Sequence, residues 1–93
     1  MENVATVSQS PTQRSANLRA NLFRVFHSWA NQAQVARDAG MHPVHLNKIL
    51  SGESANPTIG TIEAISIALE ISVETLLSRS PSDSDLRIPE KNP

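Results

Sequence analysis

Asn31 to Gly52, NQAQVARDAGMHPVHLNKILSG, is the stretch on which the reading of the whole chain turns. It divides into two short helical segments around one tight turn. Val35 and Ala36 give the first segment its small apolar face, and Val44, Leu46, Ile49 and Leu50 recur at helical spacing in the second. Gly40 stands between them, where a chain turning sharply between packed helices needs a residue that accepts positive φ. Pro43 following His42 marks a helix start, because proline in the first helical position gives up no useful N–H. Gly52 supplies a left-handed stop. Asn31 is placed to cap the first segment, with Gln34 three residues on as the reciprocal partner of a capping box. A helix, a short glycine turn and a second helix of this size make a helix-turn-helix.

Working outward, Leu18, Leu22, Val25, Phe26 and Trp29 fall on one helical stripe, which predicts a helix from Ser15, as N-cap, to about Ser28. The segment SGESANP is a loop by composition. A fourth helix is expected from near Thr58 to about Glu70, with Ile59, Ile62, Ile65, Ala68 and Leu69 as its apolar face, and Ser72 then caps a short fifth helix from Val73 to about Leu77. There is no internal repeat and no sustained strand-like alternation, so the expected fold is all-α with five helices. The divisions are a polar, disordered arm over residues 1–14, a folded domain over 15–78 and a disordered tail over 79–93, RSPSDSDLRIPEKNP. The arm reads either as an end without a role or as one whose Arg14 reaches DNA.

These residues carry a resemblance. The stretch resembles the DNA-binding core of the Xre/Cro family, the lambda-repressor-like domains: Gln32 opens the first motif helix, Ala36 is the small crossing residue, Gly40 the turn glycine and Met41 the apolar residue after it. Leu46 and Ile49 match the core positions of the recognition helix, and Gly52 its terminal glycine. The likeness continues through Pro57, Ile62, Ile65, Ala68, Leu69, Ser72 and Leu76, and covers roughly residues 15–78. Two departures stand out. Val25 and Leu50 occupy positions where many members place a buried ion pair, a swap that an apolar pair of similar volume tolerates. Trp29 stands where glycine is common.

A bare helix fits the major groove, and the preceding helix braces it against the backbone. Spacing puts Pro43, Val44, Asn47 and Lys48 on the outer face of the second motif helix. Lys48 can donate to guanine, Asn47 can pair with adenine, and Val44 can pack on a thymine methyl. The resemblance likewise implies Pro43, Val44 and Lys48 as base readers, with Gln32 and Ser51 at phosphates. Gln32 sits at a helix N-terminus suited to a phosphate. His42 is expected as a cap that also touches phosphate, and Arg19 completes the phosphate set. Arg19, Arg24 and Arg37 otherwise read as solvated helix positions.

Ninety-three residues allow one small domain. The absence of cysteine removes disulfides and thiolate metal sites. His42 and His45 lie three apart but have no third ligand beside them, so no metal is expected. Neither a phosphate-cradling glycine loop nor a paired nucleophile and base is present, so the chain does not read as an enzyme and no cofactor is expected. No apolar run approaches the ~20 residues of a membrane span, and a cytoplasmic, nucleoid-associated location is expected. The net charge is −1, but its distribution is uneven. Residues 14–60 hold five basic and two acidic side chains, and the remainder three basic and seven acidic. Positive charge therefore gathers in the half that carries the motif.

The expected function is sequence-specific binding of double-stranded DNA by a transcriptional regulator, by preference a repressor, acting as a homodimer formed by the helical domain itself. Helix five or Phe23 are the expected dimer surfaces. A second reading is a helix-turn-helix that binds a protein partner, as an antitoxin or an accessory subunit with weak DNA affinity. The apolar Pro43 and Val44, the near-neutral charge and the Glu53-bearing loop favour it.

Overall fold

The computed structural model describes residues 11–54 and 57–89. Five helices form in them: α1 (Pro11–Phe26), α2 (Gln32–Asp38), α3 (Pro43–Ser51), α4 (Ile59–Leu69) and α5 (Val73–Leu76). No strand occurs among the described residues. The principal contacts close a ring, α1 on α3, α3 on α2, α2 on α4, α4 on α5 and α5 back on α1. Inside the ring lie Leu18, Leu22, Val25, Ala36, Leu46, Ile49, Ile65, Leu69 and Leu76, all inaccessible or nearly so. The expected all-α, five-helix, lambda-repressor-like fold is what the chain adopts. Val25 and Leu50 are both buried, so apolar residues fill the places of the missing ion pair.

Each motif element is locally determined. Asn31 caps α2, its Oδ1 accepting from the Gln34 N–H at 2.9 Å. The reciprocal half of the expected capping box is not made. The Gln34 amide instead donates to Asp38 at 2.8 Å and accepts from Arg37 at 2.7 Å, partners one helical turn away that carry charge. α2 ends in a Schellman motif, with Met41 N–H on Ala36 O at 2.9 Å and Gly40 N–H on Arg37 O at 3.0 Å. Gly40 has φ +71°, as the turn requires, and the bonds drop Met41 against the core. α3 then starts at Pro43 and stops at Gly52, whose φ is +86°.

Several boundaries differ from expectation. α1 begins at Pro11, so Ser15 lies inside the helix and is not its cap, and residues 11–14 belong to the domain. Proline needs no N–H partner there, and the Gln13 amide bonds Asn17 Oδ1 at 3.0 Å one turn on. The rest of the expected arm, residues 1–10, lies outside the described residues. α1 also ends sooner, at Phe26, because the N–H groups of Ser28, Trp29 and Ala30 all converge on Val25 O. Trp29 therefore leaves the helical stripe. Ile59 is 69% exposed although expected on the buried face of α4, since its rotation about the helix axis carries it off the side holding Ile62, Ile65 and Leu69. Glu70 is not helical but closes α4 at φ +59°, in a second Schellman motif.

The larger correction concerns residues 79–89, expected as tail. They fold back over the domain, with Pro81 and Leu86 buried. The Trp29 indole N–H donates to Leu86 O at 3.0 Å, and Arg24 donates to Pro81 O and to the Asp83 carboxylate, each at 2.7 Å. Arg87 lies 5.2 Å from the Trp29 ring centre and caps the end of α4 through Leu69 O at 2.9 Å. Composition hides this because so few apolar groups carry the packing. Residues 90–93 lie outside the described residues.

Two asparagines complete the junction. Asn17 donates to Leu77 O at 3.0 Å, and Asn21 donates to Leu76 O and Ser78 O at 2.9 Å each. Both are buried, and they supply donors to carbonyls that the short α5 leaves without helical partners.

Candidate nucleic-acid interface

α3 has two chemically distinct sides. Leu46, Ile49 and Leu50 face the core, while Pro43, Val44, His45, Asn47 and Lys48 are exposed. The side chains of Asn47 and Lys48 have no hydrogen-bond or ion-pair partner among the described residues. They are thus already released from internal bonds that an incoming base edge would have to break. Val44 is 54% exposed, a large value for an apolar residue at the start of a helix. With His42, His45 and Lys48 it lines a shallow, mainly apolar concavity. By sequence His45 reads only as one half of an incomplete metal pair with His42. Its place beside Val44, and three residues from both His42 and Lys48, was the available signal that it shares their surface.

His42 does cap α3. Its Nδ1 accepts from the Val44 N–H at 3.1 Å, which fixes Nε2 as the nitrogen carrying hydrogen in the neutral ring. That N–H is a donor without an internal partner at the N-terminus of the exposed helix. Gln32 occupies the first helical position of α2, half-buried, and its amide has no partner among the described residues. The two N-termini, of α2 and α3, carry the partial positive charge of their helix dipoles.

Arg19 is half-buried on α1 and lies along the end of α3. Its Nε is 3.7 Å from the point where a Cβ on Gly52 would stand, and its guanidinium has no partner among the described residues. α1 thereby brings a cation to the C-terminal end of the exposed helix. Ser51 is differently placed: its hydroxyl donates to Lys48 O at 3.1 Å and accepts from the Glu53 N–H at 3.3 Å. A phosphate reaching that hydroxyl would have to displace Lys48 O. Arg24, grouped in the sequence with the solvated arginines, is neutralised by Asp83 and is not available to an anion.

The expected residues therefore lie on α1, at the N-terminus of α2 and on the outer side and C-terminal end of α3. Among the described residues no three His, Cys, Asp or Glu side chains converge as a metal site, and no helix is long and apolar enough to cross a membrane.

Residues 27–82 match the family model of the Cro/C1-type HTH DNA-binding domain, well over half of the chain. No curated protein and no solved structure matches it. The matched span starts after α1 and takes in all of α2 to α5, so it contains both motif helices and the glycines at φ +71° and +86°. Members of this family are DNA-binding and not, as a rule, catalysts. With its fold, its turn geometry and its matched span in agreement, the chain belongs to the family of Cro/C1-type helix-turn-helix DNA-binding domains.

Proposed function

We propose that this chain is a sequence-specific transcriptional regulator that inserts α3 into the major groove and represses by occupying its site. The observation that carries this reading is the unbonded outer side of α3, set on a buried inner side that fixes its orientation. Lys48 reads guanine O6 or N7, Asn47 reads adenine, and Val44, with Pro43 beside it, packs on a thymine methyl. Gln32, the Nε2–H of His42 and the guanidinium of Arg19 hold phosphates, and Ser51 joins them if it releases Lys48 O. One helix touches few base pairs, so a symmetric homodimer on a palindromic site supplies affinity. Phe23, 45% exposed on α1, is the dimer contact proposed on that helix. The protein works in the cytoplasm, associated with the nucleoid.

Selection from a random duplex library with the full-length chain tests this. Enrichment of a palindrome with half-sites about one helical turn apart is expected, with affinity that falls steeply as salt rises. If a folded sample enriches no motif, the reading fails. The alternative is then a helix-turn-helix that binds protein, an antitoxin or accessory subunit with weak DNA affinity. The apolar concavity around Val44 favours it, and flat salt dependence of partner binding would identify it.

A further inference from the structure

α4 is apolar on both sides. Ile62, Ile65 and Leu69 face the core, yet the opposite side carries Gly60, Ala64 and Ile67, with Ile59 and Glu63 at its edge. Ile67 is 77% exposed, pointing almost directly away from the core. A helix that is hydrophobic all round is ordinarily covered on both sides. Nothing among the described residues covers this one. Gly60 and Ala64 also line a groove between α4 and the turn that includes Gly40 and Met41, so the face continues into a concave surface.

Charge indicates what fits there. From Ile49 to Ser78 the sequence holds four glutamates and no Lys, Arg or His. Glu63 and Glu74 have no ion-pair partner among the described residues, and Glu70 has only a loose one in Arg87 at 3.6 Å. DNA is excluded from an acidic surface. A second copy is disfavoured as well. A two-fold axis through the middle of this face, between Gly60 and Ile67, would set Glu63 against Glu63 of the other copy, and like charges across an interface are repulsive.

We propose that the outer face of α4 docks another protein through a basic amphipathic helix, its apolar side chains resting on Ile67, Ala64 and Gly60 and its Lys or Arg flank meeting Glu63. Ile67 and Glu63 belong to α4, while the adjoining groove is shared with His42 and His45 at the start of α3. The occupant is a partner of opposite charge, which goes beyond DNA binding and does not depend on it.

The test uses the full-length chain and two labelled helical peptides of about 18 residues, one with Leu on one side and Lys on its flanks, the other with Glu in place of Lys. Fluorescence anisotropy should show the Lys peptide binding at least about tenfold more tightly than the Glu peptide. Ile67→Asp should abolish the binding, and Glu63→Lys should reverse the peptide preference. Both positions are exposed, and an unchanged thermal transition shows that the variants fold. Equal binding of the two peptides, binding that neither substitution alters, or no binding to the wild-type chain overturns the proposal. So does a dimer that Ile67→Asp converts to monomer in sedimentation, which would give the face to a second copy.

Discussion

From Gln32 to Ser51 the molecule is held by apolar side chains and by its own backbone, whereas α1 and the turn after it add to their apolar contacts with residues 75–86 a set of side-chain donors that reach backbone carbonyls. In the first region Val35, Ala36, Leu46 and Ile49 are buried side by side, and Schellman and cap bonds link residues close in sequence. In the second, Asn17, Asn21, Arg24 and Trp29 reach carbonyls 55 to 60 residues away, apart from one longer contact of Asn21 to Thr75 O. Close-packed apolar groups tolerate exchange when volume is kept. A buried carbonyl deprived of its donor does not. The motif is therefore free to vary on its outer side, while the junction that steadies it is chemically exacting.

This contrast can be broken most forcefully by emptying each region in turn. Leu46→Ala and Leu86→Ala should each lower stability by about 2–5 kcal/mol, as fully buried leucines do. Denaturant unfolding checks both. A negligible loss at Leu86 would show that residues 79–89 are not part of the cooperative unit. Next, Asn21→Ala leaves Leu76 O and Ser78 O without their donor and should cost about 3 kcal/mol. The melting temperature should fall by at least 10 °C, at roughly 4–8 °C per kcal/mol. DNA affinity measured well below that transition should not change, since α3 keeps its outer side.

Lys48→Ala reverses the pattern: no shift in melting, but a loss of about 1–3 kcal/mol in binding and relaxed choice at one base position. A uniform loss across all sequences would make Lys48 a phosphate contact. Gln32→Ala should produce that uniform loss. The smallest effect is expected at Glu70, which holds φ +59° without being glycine. Glu70→Gly should stabilise by about 1 kcal/mol, because the left-handed strain disappears and the exposed contact with Arg87 contributes little.

The same contrast explains what could be read in the sequence. Gly40, Gly52, Pro43, Asn31 and Ser72 announce turns and caps by local chemistry, and Leu18, Leu22, Val25, Leu46, Ile49, Ile62, Ile65 and Leu69 announce the core by spacing. All took the expected places. The outer residues of α3 followed, because a helix with one buried side leaves the other defined. The junction did not. Leu86 is a lone buried leucine in a stretch of Pro, Ser and charge, and its destination depends on Trp29, far away in sequence. Yet one trace existed. Asn17, Asn21 and Arg24 recur at i, i+4 and i+7, a polar stripe beside the apolar one, and all three donate to carbonyls of residues 75–81. Apolar periodicity does not reveal a polar stripe, and of these three residues only Arg24 carries an expectation, as a solvated position.

The distance spanned by the Trp29–Leu86 bond also has a consequence in time. Contacts separated by most of a chain form only after the intervening loop has closed, and they slow folding accordingly. During synthesis α2 and α3 emerge early with their caps and turn already specified, but Trp29 and Asn21 must wait for residues 75–86 to follow. Until then a nascent domain would leave the flank of α1 uncovered, even though α3 is already formed.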